Sequence, residues 1–207
     1  MNKAHSVLRL NSRRLVLYLG GASLVAIPMQ LLLGSSLTIS HATEPEYAHV
    51  FGMGDIGLLR RLYVHTTQIT IVLAAALAIG LYGSGGWILK VWTHGKVTMD
   101  ASLFAWLLAS AVGGILWYSG LTLLKAANRH LRAAVVFVCA AAFAVGLAYV
   151  LMKFTGSLPY AGMALLAMDI LMIAYLLPAA SRFCGTSAIS VLRQLLNPFS
   201  ILHARSQ

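Results

Sequence analysis

Charge is what this chain has least of. Asp, Glu, Lys and Arg make up 10% of its 207 residues, and only five of those are acidic. A soluble domain carries about 25% charged residues, so a chain this poor in charge could not cover its own core in water. Cysteine is nearly as scarce. Cys139 and Cys184 stand alone, with no CxxC or Cys/His spacing, which excludes a disulfide framework and a Cys-based metal site and leaves two small hydrophobes. Also missing are a glycine-rich phosphate loop, an HExxH pair, a nucleophile elbow and paired carboxylates at fixed spacing. The chain is therefore expected to be non-enzymatic, with no metal site.

What is abundant is apolar sequence: 59% of the residues are hydrophobic. They are gathered into long runs rather than into one stripe among polar positions. Leu15 to Ile39, Tyr63 to Tyr82, Ala101 to Leu124, Ala133 to Met152 and Tyr160 to Ala180 each reach the roughly 20 residues that cross a hydrocarbon core. Unpaired backbone groups cannot face lipid, so each run is predicted to be a helix. The expected fold is an all-α integral membrane protein: a bundle of about five hydrophobic helices, four if the first is cleaved or re-entrant, plus a short amphipathic C-terminal helix.

The layout follows from the same pattern. Residues 1–14 form a basic N-terminal segment with Lys3, Arg9, Arg13 and Arg14. Residues 15–39 read as a signal anchor; the alternative is a signal peptide, because Ser40-His41-Ala42 offers small residues for cleavage. Residues 40–62 hold Glu44, Glu46, Asp55, Gly52, Gly54 and Gly57, and read as a polar, glycine-rich loop. Residues 63–180 make a four-helix membrane bundle, in which Gly83-Ser84-Gly85-Gly86 is expected to break the second run. Residues 181–207 are an amphipathic tail, with Ile189, Leu192, Leu195, Leu196 and Phe199 at helical spacing.

The net charge is +10, which in a soluble protein would point towards nucleic acid. Here the basic residues flank apolar runs, where they anchor helix ends and attract anionic headgroups. The expected partners are the lipid bilayer and other membrane subunits or a second copy, with no nucleic acid. Five alternating spans divide the basic residues almost evenly between the two sides. Four spans collect them on the side of both termini, as positive-inside orientation in a bacterial inner membrane demands.

Few residues carry candidate chemistry. Asp169 lies in the middle of the fifth run, where a carboxylate costs about 2.5–3.5 kcal/mol even on the lenient insertion scale. Its candidate partners are Gln68, Thr70, Ser110 and Ser119. Ala105, Ala109 and Gly113, together with Gly80, form small-residue stripes on which helices could pack closely. His65 and His130 begin two runs of the same direction, at one membrane face, where paired imidazoles could ligate haem iron. The stretch Arg61-Leu62-Tyr63-Val64-His65, followed by Gly80-Leu81-Tyr82, resembles the first helix of bacterial di-haem b-type cytochromes, which implies haem b as the cofactor and His65 as a ligand. The resemblance is confined to residues 61–82, and the third and fifth runs contain no histidine, so the two-haem arrangement of that family is excluded.

Three functions are expected on these grounds. The first is a non-enzymatic subunit or accessory factor of a larger envelope complex of secretion, transfer or respiratory type. The second is a small proton-coupled transporter using Asp169. The third is a b-type cytochrome anchor using His65 and His130.

Overall fold

A computed structural model describes residue 34, residues 38–95 and residues 100–196. Among the described residues the chain is helical throughout, without strands. The helices are α1 (38–52), α2 (Ile56–Trp92), α3 (Ala101–Ala126), α4 (Leu131–Thr155), α5 (Pro159–Phe183) and α6 (Ala188–Leu196). Helices α2 to α5 are long and apolar enough to cross a membrane. The first hydrophobic run lies outside the described residues up to 33, and the other four expected spans are the four found among the described residues.

The ends of these helices follow from local chemistry. Asp55 caps α2, its Oδ1 accepting from the Leu58 N–H at 2.8 Å. Asp100 caps α3, accepting from the N–H groups of Ser102 (3.0 Å) and Leu103 (3.1 Å) and from the Ser102 hydroxyl (2.6 Å). Those bonds, the Ser102 hydroxyl first, hold the Asp100 carboxyl below the usual aspartate range. Helix α4 stops at Gly156, whose φ of 64° is left-handed, and α5 restarts three residues later on Pro159, where a missing N–H costs nothing. Lys90, Lys125, Lys153 and Arg182 occupy the last turns of α2 to α5. Cations there complement the helix dipole and reach the interface.

Two expectations are corrected. The segment 40–62 is not a loop: α1 runs through it to residue 52, a turn occupies 53–55, and α2 begins at Ile56. Its polar residues hid an apolar stripe, since Tyr47 and Val50 of α1 are buried against Leu59 and Tyr63 of α2. The left-handed φ of 73° at Gly54 makes the turn. The Gly83–Gly86 cluster does not break the second run either, because α2 continues to Trp92. In lipid a broken helix would leave backbone groups without partners. The Ser84 hydroxyl is satisfied within the helix, donating to the Gly80 carbonyl at 2.7 Å.

Helices α3 and α5 form the centre, packed side by side and parallel. Helix α2 lies on one flank, through Ala74, Phe104, Leu108 and Ile115. Helix α4 lies on the other, through Leu124, Ala133, Ala140, Met172 and Leu176. A third cluster closes one end, where α1, α2, α3, α5 and α6 meet around Tyr47, Tyr63, Leu123, Ala180, Cys184 and Val191. Burial there pushes the Tyr47 phenol up to about 12 and the Cys184 thiol up to about 11, so both are neutral at physiological pH. In α6, Val191 and Leu195 face this cluster; of the apolar positions read from sequence, Leu195 thus turns inward, while Ile189 and Leu192 point outward.

Charge separates the two ends of the bundle. Arg60, Arg61, Lys125, Arg129, Arg132, Arg182 and Arg193 lie at the end closed by α1 and α6, against Lys90 and Lys153 at the other. Between them the flanks are apolar and open, as at Ile69, Val72 and Ile79 on α2 and Val135, Val138 and Val145 on α4. That surface is what a bilayer covers.

Candidate functional site

The α3–α5 seam is built on a seven-residue spacing. Gly162 faces Trp106, Asp169 faces Gly113, and Leu176 with Ala180 faces Gly120. A Cβ added at Gly162 would stand 2.9 Å from the Trp106 Cβ, and one at Gly113 would stand 3.0 Å from the Asp169 Cβ. One at Gly120 would meet the Ala180 Cβ at 3.5 Å, an ordinary contact. Backbones approach this closely only where a side chain is absent, and in lipid such approach supplies much of the helix–helix attraction.

Asp169 sits at the middle of this seam, 2% exposed. Its Oδ2 accepts from the Ser110 hydroxyl at 2.5 Å and its Oδ1 from the Trp117 indole N–H at 2.8 Å. Both donors belong to α3, so the carboxyl clasps α5 to α3 across the glycine contact. The Trp117 ring is held in turn by Phe137 of α4, with ring centroids 5.8 Å apart. One buried polar group thus ties three helices together. A polar group at bilayer depth needs its partners inside the protein, and this one has them.

Of the four partners considered from sequence, Ser110 bonds Asp169. Gln68 instead donates to the Gln194 carbonyl at 2.5 Å, Thr70 to the Thr66 carbonyl at 2.7 Å and Ser119 to the Ile115 carbonyl at 3.2 Å. Trp117 was missed. It lies seven residues after Ser110, on the same helical face, and that spacing was the available signal.

The small-residue stripes divide. Gly113 packs on Asp169, while Ala105 and Ala109 are exposed on α3 and Gly80 has open space around it on α2. The closest approach of the seam, at Gly162, and the ordinary contact at Gly120 were not singled out. His65 lies on α2, half-buried, and His130 is exposed at the N-terminus of α4. They stand on helices that flank the α3–α5 pair from opposite sides. Among the described residues no group of three or more His, Cys, Asp or Glu could hold a metal ion.

Fold and seam together define the class: an all-helical, multi-pass membrane protein in contact with the lipid bilayer. Comparison with protein-family models, with curated proteins and with solved structures found no match for this chain.

Proposed function

We propose that this protein is a non-enzymatic subunit of a larger membrane assembly, of the secretion, transfer or respiratory kind, in a bacterial inner membrane. The observation that carries the reading is the outer face of α2. Gly80 and Gly83 are exposed there, with nothing among the described residues within 4 Å of an added Cβ. Beside them a groove of about 490 Å³ runs between α2 and α3, lined by Ala78, Ile79, Tyr82, Ala105, Ala109 and Val112. Glycine lowers helix stability by about 1 kcal/mol relative to alanine, and these two glycines relieve no crowding among the described residues. A helix from another subunit, seated on them, would draw on that bareness for close approach.

Asp169 fits the same reading. Both of its oxygens are engaged by α3, and neither the α2–α3 groove nor the cavity between α2 and α6 includes it. The arrangement serves cohesion better than the passage of a proton.

The test is the native size of the full chain extracted in mild detergent. A complex well above the 22.2 kDa of one chain, broken down by Gly80→Leu with Gly83→Leu, is the expected result. A lone monomer with no co-purifying membrane protein would refute the proposal. Because neither glycine touches another helix among the described residues, the double variant should keep its fold, and circular dichroism checks this.

A further inference from the structure

At the basic end, where α6 crosses the first turns of α2, lies a cavity of about 320 Å³. Arg60, Arg61, Val64, His65 and Gln68 line it from α2, and Gln194 lines it from α6. Two hydrogen bonds hold its walls. Arg60 donates from Nη2 to the Ser190 hydroxyl at 3.3 Å, and Gln68 donates to the Gln194 carbonyl at 2.5 Å. Neither bond neutralises charge.

Of the acidic groups at this end, Glu46 is exposed on α1 and the other two are occupied elsewhere. Asp55 caps α2, and Glu44 pairs with Lys125 at 3.1 Å. Among the described residues no carboxylate forms an ion pair with Arg60 or Arg61. Two adjacent guanidinium groups sharing one cavity repel each other, and an anion from outside the chain would offset that. Planar guanidinium forks match the oxygens of a phosphate, and the His65 imidazole beside them adds a ring nitrogen to the lining.

The setting selects the source of that phosphate. The cavity lies where the apolar flanks of the bundle end, at headgroup depth. On the same short helix, the apolar side chains Ile189 and Leu192 are 76% and 42% exposed. We infer that this cavity binds the phosphate of an anionic phospholipid, with the headgroup on Arg60 and Arg61 and the acyl chains along Ile189 and Leu192. Bound there, the lipid pins α6 to α2 and ties the surface helix to the leaflet.

Native mass spectrometry of the full chain in detergent, titrated with phosphatidylglycerol and separately with phosphatidylcholine, tests this. The expected result is one tightly held phosphatidylglycerol, with phosphatidylcholine bound at least about tenfold more weakly. Arg60→Ala with Arg61→Ala should weaken the phosphatidylglycerol adduct by about tenfold or more, since each charged hydrogen bond contributes appreciably. Lys153→Ala, at the opposite end, should leave it unchanged. Arg61→Gln alone, at an exposed position, guards against misfolding of the double variant and should give a smaller loss in the same direction. Equal binding of the two lipids, or equal loss in Lys153→Ala, would overturn the inference. Displacement of the lipid by millimolar inorganic phosphate would reassign the cavity to a free anion and overturn the lipid assignment.

Discussion

Three glycines on one seam differ only in the space a methyl group would find, which makes them a graded test of the α3–α5 packing. At Gly162 the new Cβ would lie 2.9 Å from the Trp106 Cβ, at Gly113 3.0 Å from the Asp169 Cβ, and at Gly120 3.5 Å from the Ala180 Cβ. Carbon atoms rest at about 3.5–4.0 Å, and a gap of 0.5–1 Å forfeits roughly a quarter to a half of each pair attraction around it. Relief at Gly162 requires the two helices to part, because a Cβ cannot swing aside. Overpacking of this kind costs about 1–3 kcal/mol. Gly162→Ala and Gly113→Ala should each lose stability in that range. The second also stretches the bonds of Asp169 to Ser110 and Trp117. Gly120→Ala needs no movement and gains up to about 1 kcal/mol of helix propensity, so it should be neutral or stabilising. Unfolding by increasing dodecyl sulfate in mixed micelles, followed by circular dichroism, reads all three. If Gly120→Ala is as damaging as Gly162→Ala, or Gly162→Ala is silent, the seam is not packed as described.

The clasp itself should be measurable. Asp169→Asn keeps the shape but cannot accept from both Ser110 and Trp117, and should cost about 0.5–1.5 kcal/mol in the same assay, with Trp117→Phe similar. A proton-coupled carrier would instead lose flux in Asp169→Asn with its fold intact. The Asp100 cap predicts an acid-side dependence. Its carboxyl titrates below the usual aspartate range when folded, so its stabilisation is complete above the unfolded pKa and is lost as pH falls through the folded one. Thermal scans should show this loss for the wild type and not for Asp100→Asn. Absorbance of the purified protein should show no Soret band, since His65 and His130 stand on opposite flanks of the α3–α5 pair; a haem spectrum abolished by His65→Ala would contradict this.

The spanning helices were legible in the sequence because run length against bilayer thickness is a one-dimensional quantity. Helix α1 was not, because Glu44, Pro45, Glu46 and the glycines around it read as a loop until Tyr47 and Val50 are seen to meet Leu59 and Tyr63. The Gly83–Gly86 cluster misled for a related reason: glycine disfavours a helix in water, but lipid offers the backbone no alternative partner. Asp169 and Ser110 stood out by polarity alone. Trp117 did not, because its role depends on which way α3 is rotated. The same missing rotation hid the close contacts at Gly162 and Gly120 and gave Gly80 the look of an internal packing residue, although a small-residue stripe reads alike whether it faces a neighbour in the chain or a partner outside it.

That α2 to α5 each cross the membrane, leaving Gly54 and the C-terminus on one side, is the claim on which the rest depends. It is tested most directly by paired alkaline phosphatase and fluorescent-protein fusions at Gly54, at Ser157 in the α4–α5 turn, and at the C-terminus. Positive-inside orientation predicts fluorescence without phosphatase activity at Gly54 and the C-terminus, and phosphatase activity at Ser157. A C-terminus on the opposite side from Gly54, or a cytoplasmic Ser157, would contradict it.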